Sequence, residues 1–412
     1  MIAPSFLRLY LCFASGYLLS YLFRTVNAVI SPELTASLGV SASSLGLLTS
    51  TYFIAFAAMQ LPAGMLLDRY GPRRVEPVLL TIAGVGSLAF AAAGDLAGLT
   101  LARALIGAGV AVCLMAPLKA IATWYSVERQ ASLAGWMMVA GGVGALLSTA
   151  PLAAALSLLS WRSIFVVLAI VSFAVAIAIF RLVPDTPVHP QTADWAAQWR
   201  GVKDIFRDRR FWWLAPLASL GMGSFMAIQG LWSVPWLMEV GGYSRFAAAD
   251  HLLLMGIATL GGYFVLGLFS ARLALHGISP RHLFAAGFLL HTAALALIVI
   301  GVPLTYLAWS LYGLGAAVNV LGFTVLGEGF ARELAARANT ALNLLMFVVS
   351  FAAQWGIGIV ADAARGWFAT DTAGGLRLAF ALVLVIETLA YVWFALGWRR
   401  HAIAAPLARV AA

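Results

Sequence analysis

The sequence predicts an all-α membrane protein built from twelve transmembrane helices. Three observations predict it. Of 412 residues, 63% are hydrophobic and only 10% charged, where a soluble domain averages about 45–50% apolar and about 25% charged. The apolar runs are continuous and about 20 residues long, the length an α-helix needs to cross a hydrocarbon core of about 30 Å. A membrane barrel would show alternating strands of about 10 residues instead. Finally, lysine and arginine alternate between rich and poor in successive segments between the runs.

The spans are expected at 9–30, 44–66, 76–94, 99–122, 132–155, 160–181, 211–236, 247–269, 282–301, 304–326, 340–360 and 377–397. Spans three and four are joined by a short turn at Asp95–Gly98. Span five carries Ala140, Gly141, Gly142, Gly144 and Ala145, small residues that let helix backbones approach closely in lipid. Trp212, Trp213, Trp236, Trp393 and Trp398 fall near segment ends, where amphipathic rings sit at membrane interfaces.

With the N-terminus placed in the cytoplasm, 18 of the 25 Lys and Arg fall in inner segments and four in outer ones. The other three, Arg24, Arg103 and Lys119, lie inside spans. This asymmetry predicts an even number of spans with both termini inside. It also accounts for the net charge of +9 without nucleic acid as a partner. The two cysteines, Cys12 and Cys113, lie within apolar runs and read as packing residues, with no metal-ligand spacing. No cofactor or metal is expected, and no signal peptide is read at the start.

One stretch breaks the rhythm. Residues 183–210 hold Pro184, Pro187 and Pro190 and then a polar, basic segment. It divides the chain into a half of six spans at 1–182, a cytoplasmic linker at 183–210 and a second half of six at 211–412. Two readings of 194–208 stay open: a solvated linker, or a basic amphipathic helix lying on the membrane. Six plus six is the plan of transporters built from repeats, whose solute site lies at the midplane.

After span two stands Gly64-Met-Leu-Leu-Asp68-Arg69-Tyr-Gly71-Pro-Arg73-Arg74. It resembles the signature loop of the major facilitator superfamily, in sequence and in position. Gly64 suits close helix packing and Gly71 a tight turn. The resemblance implies that Asp68 faces the N-terminus of span eleven and, with Arg69, Arg73 and Arg74, latches one conformational state. Arg73 and Arg74 also read as ordinary interface anchors. A worn copy, Gly267-Leu-Phe-Ser-Ala271-Arg272, follows span eight and lacks the acid. Span four opens Arg103-Ala-Leu-Ile-Gly107-Ala-Gly109, which is similar to a second superfamily motif. That similarity implies hydrogen bonds from Arg103 within the first half.

Span one is the sharpest local likeness. Gly16-Tyr17, Tyr21, Arg24, Asn27-Ala28 and Pro32 resemble the first helix of the organophosphate:phosphate antiporter and organic anion transporter branch. The resemblance implies that Arg24 faces the cavity and binds an anionic group. Lys119 stands where that branch often keeps a basic residue. Span seven departs from the pattern, with Gln229 where phosphate exchangers place an arginine, so a carboxylate or other monoanion fits better than a phosphate.

An arginine within a span is costly unless it faces the bundle interior, and its planar fork suits a carboxylate. Tyr17, Tyr21 and Asn27 share or neighbour its helix face. The alternative is Arg24 paired with Glu33 near the outer surface. Lys119 reads equally as a cavity cation or an interface anchor. Gln229, Trp232, Asn319, Asn343 and Gln354 complete the candidate pocket, with interhelical hydrogen bonding as their alternative role. Among the acids only Glu387 sits mid-span, and His291 lies inside span nine; neither reads as a proton carrier. The expectation is a monomeric secondary transporter of the inner (cytoplasmic) membrane that carries a small anion. Its rivals are an exporter of amphipathic compounds, such as drugs or siderophores, and a sensor on a transporter fold. No HExxH, P-loop or nucleophile elbow marks an enzyme.

Overall fold

A computed structural model describes residues 6–185, 195–368 and 370–402. Among the described residues there is no strand, and twelve helices are long and apolar enough to cross a membrane. They are Leu7–Leu38, Ala42–Tyr70, Pro72–Ala92, Leu96–Trp124, Ser132–Ala155, Trp161–Leu182, Arg209–Val240, Arg245–Phe269, Pro280–Ile300, Thr305–Glu328, Leu334–Trp367 and Thr372–Trp398. Several run past the ends expected from hydropathy, because polar residues such as Glu33 and Asp362 continue the helix beyond the apolar run.

Local chemistry sets the boundaries. Ser41, Asp95 and Ser160 cap spans two, four and six, each side chain accepting a hydrogen bond from a backbone N–H three residues on. Pro72 and Pro280 stand in first turns, where a missing N–H costs nothing. Gly71 separates spans two and three at φ 76°, and Gly301 ends span nine at φ 83°, backbone that favours glycine.

Four spans are interrupted. Span four loosens into a turn between Val110 and Met115, and span five between Leu147 and Ala150. Span ten tightens to a 3-10 segment at Ala317–Val320. Span seven carries two π-helical segments, Ile228–Trp232 and Trp236–Val240, on either side of Pro235. Such wider turns occur mostly as single-turn bulges, often at functional sites.

The chain forms two compact units. In the first, spans one to six are joined by Ile228–Leu253 and Gln354–Asp362. Its core includes Phe23, Tyr52, Phe53, Phe90 and Phe165, with Phe90 stacked on Phe165 at 4.2 Å. Span four packs between spans two and three. Gly107 lies on the backbone of Tyr52 and Gly109 on that of Leu79 and Ala83, so closely that a Cβ at either would collide. The glycines of the span-four motif therefore set a helix–helix distance.

The second unit gathers the beginning of span seven, Leu254–Ala353 and span twelve. Phe211, Phe284, Phe288, Trp309 and Phe394 fill its core, and Trp213 stacks on Phe394 at 4.9 Å. The linker contributes a helix, Trp195–Arg207, to this unit. Val202 and Ile205 are buried while Arg200, Lys203 and Arg207 are exposed. The helix thus docks on protein through its apolar face, which neither reading of 194–208 anticipated. Residues 186–194 of the linker, with Pro187 and Pro190, lie outside the described residues.

Candidate functional site

Arg24 sits on span one, only 8% exposed. Its guanidinium carbon lies 4.5 Å from the ring centre of Tyr21 and 5.5 Å from that of Phe56. Tyr17 and Tyr52 are further electrostatic neighbours. Aromatic faces carry partial negative charge and attract the guanidinium. Tyr17 and Tyr21 meet edge to face at 5.1 Å. One turn further on, Asn27 is fully buried with neither amide atom hydrogen-bonded. The backbone carbonyl of Arg24 accepts from Nη2 of Arg103 at 3.4 Å, and the Arg103 guanidinium lies over the ring of Tyr52 at 4.8 Å.

Three candidates from spans seven and eleven fall in the same unit: Gln229, Trp232 and Gln354. The indole of Trp232 donates to the carbonyl of Gln354 at 2.8 Å. The side-chain oxygen of Gln354 is buried without a hydrogen bond. A Cβ at Gly230, in the first π-helical segment, would lie 3.4 Å from the Arg24 carbonyl and 3.7 Å from that Gln354 oxygen. The wide turn of span seven is therefore pressed against the backbone of Arg24. Gln229 is half-buried. Asn319 and Asn343 belong to the other unit. There Asn319 is buried with its amide unbonded and faces Gly221, and Asn343 is half-buried.

Lys119 is engaged elsewhere: its ammonium lies 2.5 Å from Asp68. The signature loop therefore ties span two to span four. Arg73 pairs with Asp185 at 2.7 Å and donates to the carbonyl of Phe180 at 3.0 Å, while Arg74 reaches Asp185 at 3.8 Å. Arg69 lies over Tyr70 at 5.2 Å. One expectation is corrected. Among the described residues a Cβ at Gly64 would meet nothing within 4 Å, so within its own unit this glycine does not serve close helix packing.

Glu33, the alternative partner of Arg24, forms an ion pair with Arg245. Asp362, near the end of span eleven, accepts from the backbone N–H of Ala42 at 3.2 Å and of Ser43 at 2.8 Å. These two acids fasten segments of spans eight and eleven to spans one and two within the first unit. Sequence reading missed them because each partner is more than 200 residues away. It also missed Glu76, which is fully buried against Gly16 with the Cys113 thiol beside its carboxyl group. It was hidden because the expected span three begins at that residue, where an acid reads as an interface group.

The family model described as Major Facilitator Superfamily matches residues 13–354. The chain is 28% identical over 272 residues to the hexuronate transporter of Escherichia coli, a match covering 60% of this chain and 62% of that protein. It thus spans less than two thirds of that relative. It is 31% identical over 173 residues to a probable L-galactonate transporter of Escherichia coli (40% of this chain, 36% of the relative). It is 30% identical over 183 residues to a putative multidrug resistance protein of Salmonella typhi (44% and 38%). Among solved structures, a bacterial homologue of the human lysosomal transporter Spinster superposes with a TM-score of 0.76 over 96% of this chain and 97% of its own. At 18% identity that likeness speaks for the fold alone.

Proposed function

Because the chain belongs to the major facilitator superfamily and is a membrane transporter, not an enzyme, we propose that it carries a small organic anion bearing a carboxylate. The observation that carries this reading is Arg24, a buried guanidinium ringed by Tyr21 and Phe56, in the same unit as the unbonded amide of Asn27 and the unbonded side-chain oxygen of Gln354. A guanidinium recognises a carboxylate with two parallel hydrogen bonds, and the amides and tyrosines suit sugar hydroxyls. The hexuronate and L-galactonate transporters are named for sugar acids of this kind.

In this reading Arg24 holds the carboxylate. Tyr17, Tyr21, Asn27, Gln229, Trp232 and Gln354, all of the first unit, supply the remaining wall. Lys119 acts with Asp68 in the latch, together with Arg69, Gly71, Arg73 and Arg74. The halves 1–182 and 211–412 alternate access to the site as a monomer in the cytoplasmic membrane, with both termini inside.

The test is a thermal-shift screen of purified protein against D-glucuronate, phosphate esters, inorganic anions and hydrophobic drugs, run beside Arg24→Ala. A ligand that binds the native state raises its melting temperature by mass action. Stabilisation by glucuronate that vanishes in Arg24→Ala is the expected result. Stabilisation by neutral or cationic amphipaths alone, unchanged in Arg24→Ala, puts the exporter first, as the multidrug relative suggests.

A further inference from the structure

The second unit holds a buried acid and a buried imidazole side by side. Glu387 of span twelve and His291 of span nine are both fully buried, and Oε1 of Glu387 lies 3.7 Å from Nε2 of His291. We propose that this pair is a proton-binding site, and that the proton it holds couples transport to a proton gradient.

The hydrogen bonds define where the proton goes. Nδ1 of His291 lies 3.1 Å from the carbonyl of Tyr312. A carbonyl only accepts, so Nδ1 carries the ring hydrogen and the lone pair of the neutral ring is on Nε2. That lone pair stands 3.7 Å from the carboxyl group, and among the described residues Nε2 has no hydrogen-bond partner. Ser224 of span seven contacts Oε1 of Glu387 and also lies 2.7 Å from the carbonyl of Leu220. One hydroxyl hydrogen cannot serve both acceptors. When Glu387 is protonated, its O–H donates to Ser224 and Ser224 donates to Leu220, so both contacts are satisfied.

Proton count decides the charge of the pocket. With one proton, whether on Glu387 or on Nε2 of His291, the pair is neutral overall. Transfer between them breaks the carboxyl O–H bond, leaves the electron pair on oxygen and forms an N–H bond on the ring. Without that proton a lone carboxylate stays in a fully buried pocket, a state hydrocarbon strongly disfavours. In the proposed cycle one proton loads the pair in a sealed conformation and leaves it in one that admits water.

The surroundings add no compensating charge. Span ten contributes Tyr312, whose ring stacks on His291 at 4.2 Å and whose hydroxyl neighbours Glu387 and Ser224. Span seven contributes Ser224 and Phe225, and span nine adds Phe288. On span twelve the next ionisable side chain is Tyr391, stacked on Phe288. Every other charged residue of these four spans lies within two turns of a helix end.

The site and Arg24 belong to different units, and only the transport arm of its test leans on the anion reading. Infrared pH titration of the purified full-length protein needs no substrate. The expected result is a protonated-carboxyl band that is absent from Glu387→Gln, present in Glu76→Gln and shifted in its titration in His291→Gln, with every variant eluting as a folded monodisperse species. A spectrum of Glu387→Gln identical to the parent overturns the site. In proteoliposomes, accumulation of D-glucuronate driven by a pH gradient is expected to fall by about 10-fold or more in Glu387→Gln while exchange without a gradient persists. Undiminished accumulation in that variant overturns the coupling role. A parent protein that moves no glucuronate counts against the anion reading alone, and the infrared result then decides the proton site.

Discussion

Arg24 owes its value to shape as much as to charge. Held over Tyr21 at 4.5 Å, it presents a flat fork of donors that an ammonium does not reproduce. Arg24→Lys keeps the cation and removes the fork, so affinity for a carboxylate should fall by about 10-fold or more, measured as the Kd for glucuronate by calorimetry. Equal affinity in the two proteins would show that Arg24 works as a point charge or lies off the site. This residue was legible in the sequence because an arginine deep in an apolar run has few other uses. Glu76 was not, since it stands at the expected start of span three, where an acid reads as an ordinary interface residue. Glu387 and His291 were each visible, but their meeting depends on how spans nine and twelve pack. Neither span's own periodicity carries that information. Lys119 was left between two roles, and its bond to Asp68 depends on the neighbouring span in the same way.

At the scale of helices, the twelve spans were readable from hydropathy because lipid demands long uninterrupted apolar helices. Their irregularities were not. The π-helical segments of span seven surround Pro235, but a proline alone does not specify which wider turn forms. The span-four glycines show the converse, a motif whose physical reason emerges only in packing. Gly107→Leu drives a side chain into the backbone of Tyr52. It should lower stability by roughly 1–3 kcal/mol, the usual cost of overpacking, seen as a lower melting temperature. An unchanged melting temperature would mean that spans two and four separate without cost. Asp362 makes a second case. Asp362→Ala uncovers two N–H groups at the start of span two and should cost about 1 kcal/mol, whereas Asp362→Asn retains an acceptor and should lose less. Equal losses would point to charge, not capping, as the contribution.

For the whole molecule, the charge asymmetry of the loops makes a prediction that packing cannot supply. Cys12 and Cys113 are buried, so single cysteines placed at exposed loop positions report topology. With both termini cytoplasmic, a membrane-impermeant thiol reagent added to intact cells should label Leu158→Cys and spare Arg129→Cys, both exposed positions. Labelling of Arg129→Cys alone would invert the topology. The Asp362 contact also bears on how this chain can drift over evolutionary time. Its carboxylate grips the main chain of residues 42 and 43, which every residue but proline supplies, and the Ser43 hydroxyl adds to that contact. Substitutions at position 42 should pass with little selection wherever the helix tolerates them, and those at position 43 lose only the hydroxyl contact. Position 362 should accept almost nothing that lacks a short acceptor. A saturation library scored for transport would show this as one intolerant column facing two permissive ones.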